Sequence, residues 1–389
     1  MKRRIAFLMI VIMILGMFGG CKSNEDDFSV DSSFAGSEQM DWGDDSDDDI
    51  AESDEQEQDE PSQNEEEKQP QEDPTKQDTP DPDPEKDQEE EVDSEPEQEQ
   101  KEEEPDPEPN EEEKEPIEVG GGPLFEASEN PYKKSLKILA FGNSFSKDAM
   151  QHLWKIAKSY GVETVVLGNL NIGGCSLETH YTNMSQNLAA YTYTKNTNGE
   201  WENTKNVTAL SGLRDESWDI ITIQQASDQN ASASTYSNLS EILQYLEQKK
   251  PKKDTKILWH MTWAYQSDST KKAFQEYNNN QITMYEAILK RVKDDVLCFD
   301  NFVGVIPAGT AIQNLRKTSV GDTLTRDGYH LSYGMGRYVA ALTWYCYITG
   351  ADPFEARFVP LEDQVEIYLH QDEINQAVAD AIREPYEIT

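Results

Sequence analysis

The sequence predicts an α/β domain, a three-layer sandwich in which helices flank a mainly parallel five-stranded sheet. Two patterns carry that prediction. Through residues 120–389, short apolar runs alternate with segments whose apolar positions recur at helical spacing. The runs are continuous rather than alternating, as strands covered on both faces are. The same stretch is long enough to bury one large core.

The elements follow in order. Leu136 to Phe141 reads as a buried first strand ending at Gly142. Asp148 to Tyr160 has apolar residues at Met150, Leu153, Trp154, Ile156 and Ala157, a helical period. Thr164 to Leu167 is a second strand. Thr192 to Trp201, with Thr197-Asn198-Gly199 near its centre, predicts a hairpin. Asp219 to Ile223 is a third strand, Tyr236 to Leu246 a helix and Lys256 to Met261 a fourth strand. Ile282 to Val292 is a helix and Val296 to Phe299 a fifth strand. Tyr333 to Ile348 and Val365 to Ile382 are closing helices.

What precedes the domain is of another kind. Residues 22–118 hold 44 acids against six lysines, a net of −38, whereas residues 119–389 carry a net of only −7. Residues 21–119 therefore predict a disordered acidic linker, too poor in apolar side chains to offset chain entropy. Charge repulsion and prolines extend it beyond the roughly 55 Å of a freely flexible chain, so it reads as a tether. Residues 1–20 combine Lys2-Arg3-Arg4, an apolar run from Ile5 to Phe18 and Gly19-Gly20 before Cys21. That is the plan of an export signal, shorter than a spanning helix. With no basic surface evident, nucleic acid is not an expected partner. Four cysteines in 389 residues exclude a disulfide scaffold.

Sites in parallel sheets form where strands end at their carboxyl edge. Four blocks stand at such places: Gly142-Asn143-Ser144-Phe145-Ser146, Asn171-Ile172-Gly173-Gly174-Cys175-Ser176, Gln224-Gln225-Ala226-Ser227-Asp228 and Asp327-Gly328-Tyr329-His330. A serine hydroxyl needs a base to become nucleophilic, and a histidine oriented by a carboxylate is such a base. Asp327 and His330, three apart, can supply both from one loop. The glycine pair can bring backbone N–H groups to a developing oxyanion. Plainer roles stand beside these: Ser144 or Ser146 as a helix cap, with Ser146 also a second candidate nucleophile, and His330 as a packing residue. His260 and Trp263, closing the fourth strand, are candidates to floor a sugar-sized cleft, or to fill core. Glu178 and His180 lack a third ligand, so no metal is assigned. Arg316 can meet an anionic group or a surface acid. Cys175, Cys298 and Cys346 are expected as buried free thiols.

Over residues 135–350 these blocks, in this order, resemble the SGNH (GDSL-like) hydrolase superfamily, in an uncharacterised secreted bacterial branch with a flavodoxin-like sheet. The resemblance implies Ser144 as nucleophile, His330 as base and Asp327 as its orienting acid. It implies backbone N–H groups of Ser144 and Gly174 as oxyanion donors. Asn143 stands where that family has Asp, and Gln-Gln-Ala-Ser-Asp where it has Gly-x-Asn, leaving Gln225 or Gln224 to complete the oxyanion hole. An α/β-hydrolase fits less well, since its nucleophile lies mid-domain in Gly-x-Ser-x-Gly. The N-terminus resembles a bacterial lipoprotein signal, which implies acylation of Cys21. The expectation is a monomeric, cofactor-free esterase, lipid-anchored outside the cytoplasm, that removes acetyl or other short acyl groups from carbohydrate. The alternatives are a glycan-binding module of the same fold and a secreted lipase.

Overall fold

The computed structural model describes residues 120–389; the expected signal, Cys21 and the acidic segment lie outside the described residues. Its centre is β1 (Ser135–Gly142), which turns from half-buried at its start to fully buried at its end. On one side lies β2 (Thr164–Asn171), parallel in register from Ser135↔Thr164 to Gly142↔Asn171. On the other lie β5 (Ile220–Ile223), β6 (Lys256–His260) and β7 (Phe302–Ile306), all parallel.

The expected hairpin forms as β3 (Tyr191–Asn196) and β4 (Trp201–Val207), added antiparallel to β2. Asn196 and Asn198 cap its turn by accepting the Gly199 and Glu200 N–H groups. The sheet is thus seven-stranded, β4-β3-β2-β1-β5-β6-β7, rather than five. Its parallel part runs in the doubly wound order whose switch point lies between β1 and β5.

The helices group in two clusters. One holds α1 (Ser144–Met150), α2 (Leu153–Ser159), α7 (Ala308–Arg316), α8 (Met335–Thr349) and α10 (Gln371–Arg383), with every other member packed on α8. The other holds α3 (Leu177–Ser185), α4 (Ala209–Asp215) and α5 (Leu239–Lys249). Because the chain steps from β1 to β2 in one direction and from β5 to β7 in the other, crossovers of the usual right hand put these two clusters on opposite faces. The remaining helices are α6 (Gln281–Arg291) and α9 (Gln364–Leu369).

Two expectations change, and one open choice is resolved. The fifth parallel strand is Phe302–Ile306; Val296 instead ends a π-helical turn, Val292–Val296, that prolongs α6. Four apolar residues fit a helix end as well as a strand, so pattern alone could not place them. The true strand is marked by Gly304, where a Cβ would come within 2.0 Å of the Tyr347 hydroxyl from α8. Cys298 accordingly lies outside any strand and is exposed, while Cys175 and Cys346 are buried; all three are free thiols. The sequence-based elements omit helix α7, although Ala308, Ala311, Ile312 and Leu315 recur at helical spacing; it buries Thr310, Gln313, Asn314 and Arg316 as well as these apolar residues. Its polar groups are answered internally, Thr310 by the Pro385 carbonyl and Gln313 by Gln281. Arg316 pairs with Asp322 at 2.9 Å and donates to the Ala264 carbonyl, so it serves the fold rather than an anionic substrate. Among the described residues no helix is long and apolar enough to cross a membrane.

Candidate active site

One residue, Asn143, separates strand β1 from α1. Asn143 is the N-cap: extended in backbone, it accepts the Phe145 N–H at 2.9 Å through its side chain. Ser144 is therefore the first helical residue and not the cap, and its hydroxyl is left for other work. Ser146 is buried, bonded to the Asn143 carbonyl and the Asn169 side chain, which removes it as a nucleophile. Gly142 is required just before: a Cβ there would approach the Ser146 hydroxyl to 2.5 Å.

The second segment is a tight reversal. The Arg326 N–H donates to the His330 carbonyl and the Ser332 N–H to the Leu324 carbonyl, with Gly328 at φ +90° in the tip. Asp327 accepts the N–H groups of His330 at 2.8 Å and Tyr329 at 3.2 Å through one oxygen. Its other oxygen meets His330 Nδ1 at 2.7 Å, and His330 Nε2 lies 2.7 Å from Ser144 Oγ. Ser144, His330 and Asp327 thus form one hydrogen-bonded chain across 186 residues of sequence.

Protonation follows from the partners. Burial pushes the Asp327 carboxyl up, but the His330 imidazole and the two backbone N–H groups outweigh it and hold the acid at about 2. An ionised carboxylate only accepts, so the imidazole proton sits on Nδ1 and the Nε2 lone pair faces the serine hydroxyl. Ser144, His330 and Asp327 thus have the arrangement of a serine, an imidazole and a carboxylate that can carry acyl transfer through a serine.

A buried frame braces both halves. Trp263 stacks on Phe145, ring centroids 4.5 Å apart and 13° between planes, and donates its indole N–H to the Tyr329 carbonyl. One side chain so touches the residue after the serine and the residue before the histidine. Asn143 donates to the Cys175 carbonyl and accepts from Gln224 Nε2, whose own oxygen accepts from His260 Nδ1. An aspartate at 143 would lack that N–H donor to the Gly173–Gly174 loop, which gives the asparagine a reason of its own. Burial holds the His260 imidazole down at about 3, so it stays neutral.

These contacts correct four expectations. His260 and Trp263 are 1% and 0% exposed, so neither can floor a cleft; they support the site from below. Gln225 accepts the N–H groups of Leu177 and Ala226 and donates to the Thr235 carbonyl. Gln224 is engaged as described. Both glutamine amides are bonded within the protein at both ends and brace loops instead of standing as free oxyanion donors. Gln225→Ala is expected to lower stability by about 1–3 kcal/mol, because it strands buried partners, while kcat per folded molecule changes little. Urea unfolding beside a rate normalised to folded protein checks this.

The remaining expected donors are backbone. Gly174 is exposed in the turn after β2 with φ +58°, a conformation glycine adopts freely, and the Cys175 N–H closes that turn on the Ile172 carbonyl. Elsewhere, His180 is buried against Tyr191, whereas Glu178 on the same helix is exposed. Among the described residues no group of three or more His, Cys, Asp or Glu is arranged to hold a metal ion. Asn143, Phe145 and Gln224 stand inside the sequence blocks, but their part as the frame of the site shows only in their tertiary contacts.

Comparison with curated proteins finds no match. A putative SGNH hydrolase from Slackia heliotrinireducens is 20% identical, covering 55% of this chain and 98% of its own at a TM-score of 0.34. An acetyl xylan esterase is 16% identical, covering 55% and 100% at 0.35. Scores that low carry no functional argument. A crystal structure from Bacteroides uniformis ATCC 8492, described as a DUF4886 family protein, is 37% identical over 65% of this chain and 97% of its own, with a TM-score of 0.62. The family model described as a domain of unknown function, DUF4886, matches residues 137–382, a span that holds the serine, the aspartate and the histidine, and the chain belongs to that family.

Proposed function

We propose that this protein is an SGNH-type serine esterase that removes acetyl or other short acyl groups from extracellular or envelope carbohydrate. The observation that carries the reading is the Ser144–His330–Asp327 chain, with both of its side-chain contacts at 2.7 Å.

In the proposed reaction, His330 Nε2 takes the Ser144 proton as Oγ bonds to the ester carbonyl carbon. The carbonyl electron pair moves to oxygen, where the backbone N–H groups of Ser144 and Gly174 are the proposed donors. Collapse breaks the bond to the alcohol oxygen, which leaves with the proton from His330. Water then repeats the sequence on the acyl-serine and releases the acid. Asp327 keeps the proton on Nδ1 and stabilises the imidazolium.

The sugar and the acyl length rest on the resemblance of the blocks to that superfamily and on the export signal read from residues 1–20. By the same reading Cys21 is acylated, the −38 segment is a tether, and the domain works as a cofactor-free monomer outside the cytoplasm. A fluorophosphonate, which reports an activated serine, is expected to label the purified protein at Ser144. Acetate is expected from acetylated glycans, with acetyl esters cleaved faster than octanoyl esters. Faster octanoyl cleavage would move the reading to a lipase. The engaged glutamine amides motivate a second reading, a glycan-binding module with little chemistry; glycan retention without labelling would select it.

A further inference from the structure

The proposed chemistry needs two pieces of chain, far apart in sequence, to hold a 2.7 Å contact. The residue that joins them is Asp148, one helical turn after Ser144 on α1 and 1% exposed. Its carboxylate accepts from Arg337 Nε at 2.7 Å and pairs with Arg337 Nη2 at 2.6 Å. It accepts from Arg326 Nη1 at 3.0 and 3.2 Å and from the Leu331 N–H at 2.8 Å. Arg326 is the residue before Asp327, and Leu331 is the residue after His330. One carboxylate on the serine's own helix therefore grips both ends of the Asp327–His330 stretch.

The grip is closed on itself. Arg326 Nη1 also donates to the Leu331 carbonyl at 2.5 Å, and the Tyr333 ring lies 5.0 Å from the Arg326 guanidinium and 4.6 Å from that of Arg337. A buried carboxylate between two guanidiniums is a poor device for stability alone, because desolvation opposes most of the attraction. Its directional bonds are better suited to fixing a distance.

We propose that Asp148 is a positioning residue which, through Arg326, Arg337 and the Leu331 N–H, sets the Ser144–His330 distance; the inference rests on the serine-hydrolase reading above. Misplacement of reacting groups by about 1 Å costs about 100-fold in rate. The test uses the full chain, with fluorophosphonate labelling and the steady-state kinetics of a short acyl ester. Asp148→Asn and Arg326→Gln are expected to lower the labelling rate and kcat about 100-fold, with KM nearly unchanged. Arg326→Lys, which keeps the cation but loses the fork, is expected to fall between Arg326→Gln and the wild type. Thermal unfolding shows which variants are folded at the assay temperature. If Asp148→Asn does not fold, Arg326→Gln decides, since its side chain is 21% exposed and Arg337 still holds Asp148. A folded Arg326→Gln that labels and turns over like the wild type overturns the inference. A wild-type protein that never labels at Ser144 overturns the hydrolase reading instead.

Discussion

Ser144→Ala is expected to lower kcat/KM for a short acyl ester by on the order of 10^4- to 10^6-fold, with no loss of folded protein. The hydroxyl is only partly buried and caps no helix, since Asn143 does that work. Its side chain bonds to His330 Nε2, so its removal is expected to leave the fold intact and to take away the proposed nucleophile. His330→Ala should cost a similar factor, and the double variant no more than either alone, because the groups act as one unit. The comparison is made by steady-state kinetics on proteins of matched thermal midpoint. Retention of more than about one hundredth of wild-type turnover by Ser144→Ala would sink the covalent mechanism, given the size of nucleophile deletions elsewhere.

The second large effect is acid unfolding. His152, His180 and His260 are buried, and burial lowers their pKa values to about 4, about 3 and about 3 from the ordinary 6.5. The sign is fixed: below 6.5 the unfolded chain binds protons that these imidazoles refuse in the folded state, so stability falls as pH falls. Each contributes about 1.4 kcal/mol per pH unit across its window, and the three together about 4 kcal/mol per unit. Against a typical stability of about 5–15 kcal/mol, the domain is expected to unfold between roughly pH 5 and 4. Asp327 acts in the same direction lower down, its contribution being full above its unfolded value of 3.8 and lost towards about 2. The urea midpoint measured from pH 7 to pH 4 tests this; a midpoint level between pH 7 and 5 refutes it.

Much of this protein was readable from its letters, and the exceptions share a cause. The central strands were legible because parallel strands buried on both faces leave continuous apolar runs, as Leu136 to Phe141 does. The hairpin was legible through Thr197-Asn198-Gly199. The fifth strand was misplaced because Val296-Leu297-Cys298-Phe299 and Phe302-Val303-Gly304-Val305-Ile306 are both apolar, and only packing of Tyr347 against Gly304 separates them. Helix α7 was legible through Ala308, Ala311, Ile312 and Leu315, although the expected elements omit it; what the letters could not show is that its polar residues are buried too and satisfied by residues distant in sequence. Helix α8 is buried on all sides and reads as a plain apolar segment for that reason.

At the site the division is sharper. The letters named Ser144 from its place after the first strand and Asp327 with His330 from their three-residue spacing on one loop, and the family resemblance supplied their expected roles. They also determined the acid-rich segment and the net charge, which depend on composition and not on contacts. Tertiary structure decided which polar side chains meet at the candidate site and which are bonded into its frame. Gln224, Gln225, His260 and Trp263 look as free to act as Ser144 does when read in line. Each is instead held by partners far along the chain: His260 for Gln224, Leu177 and Thr235 for Gln225, Phe145 and Tyr329 for Trp263. Residue type sets what a side chain can do, but only the closing of the sheet and its loops determines which of its atoms are already bonded.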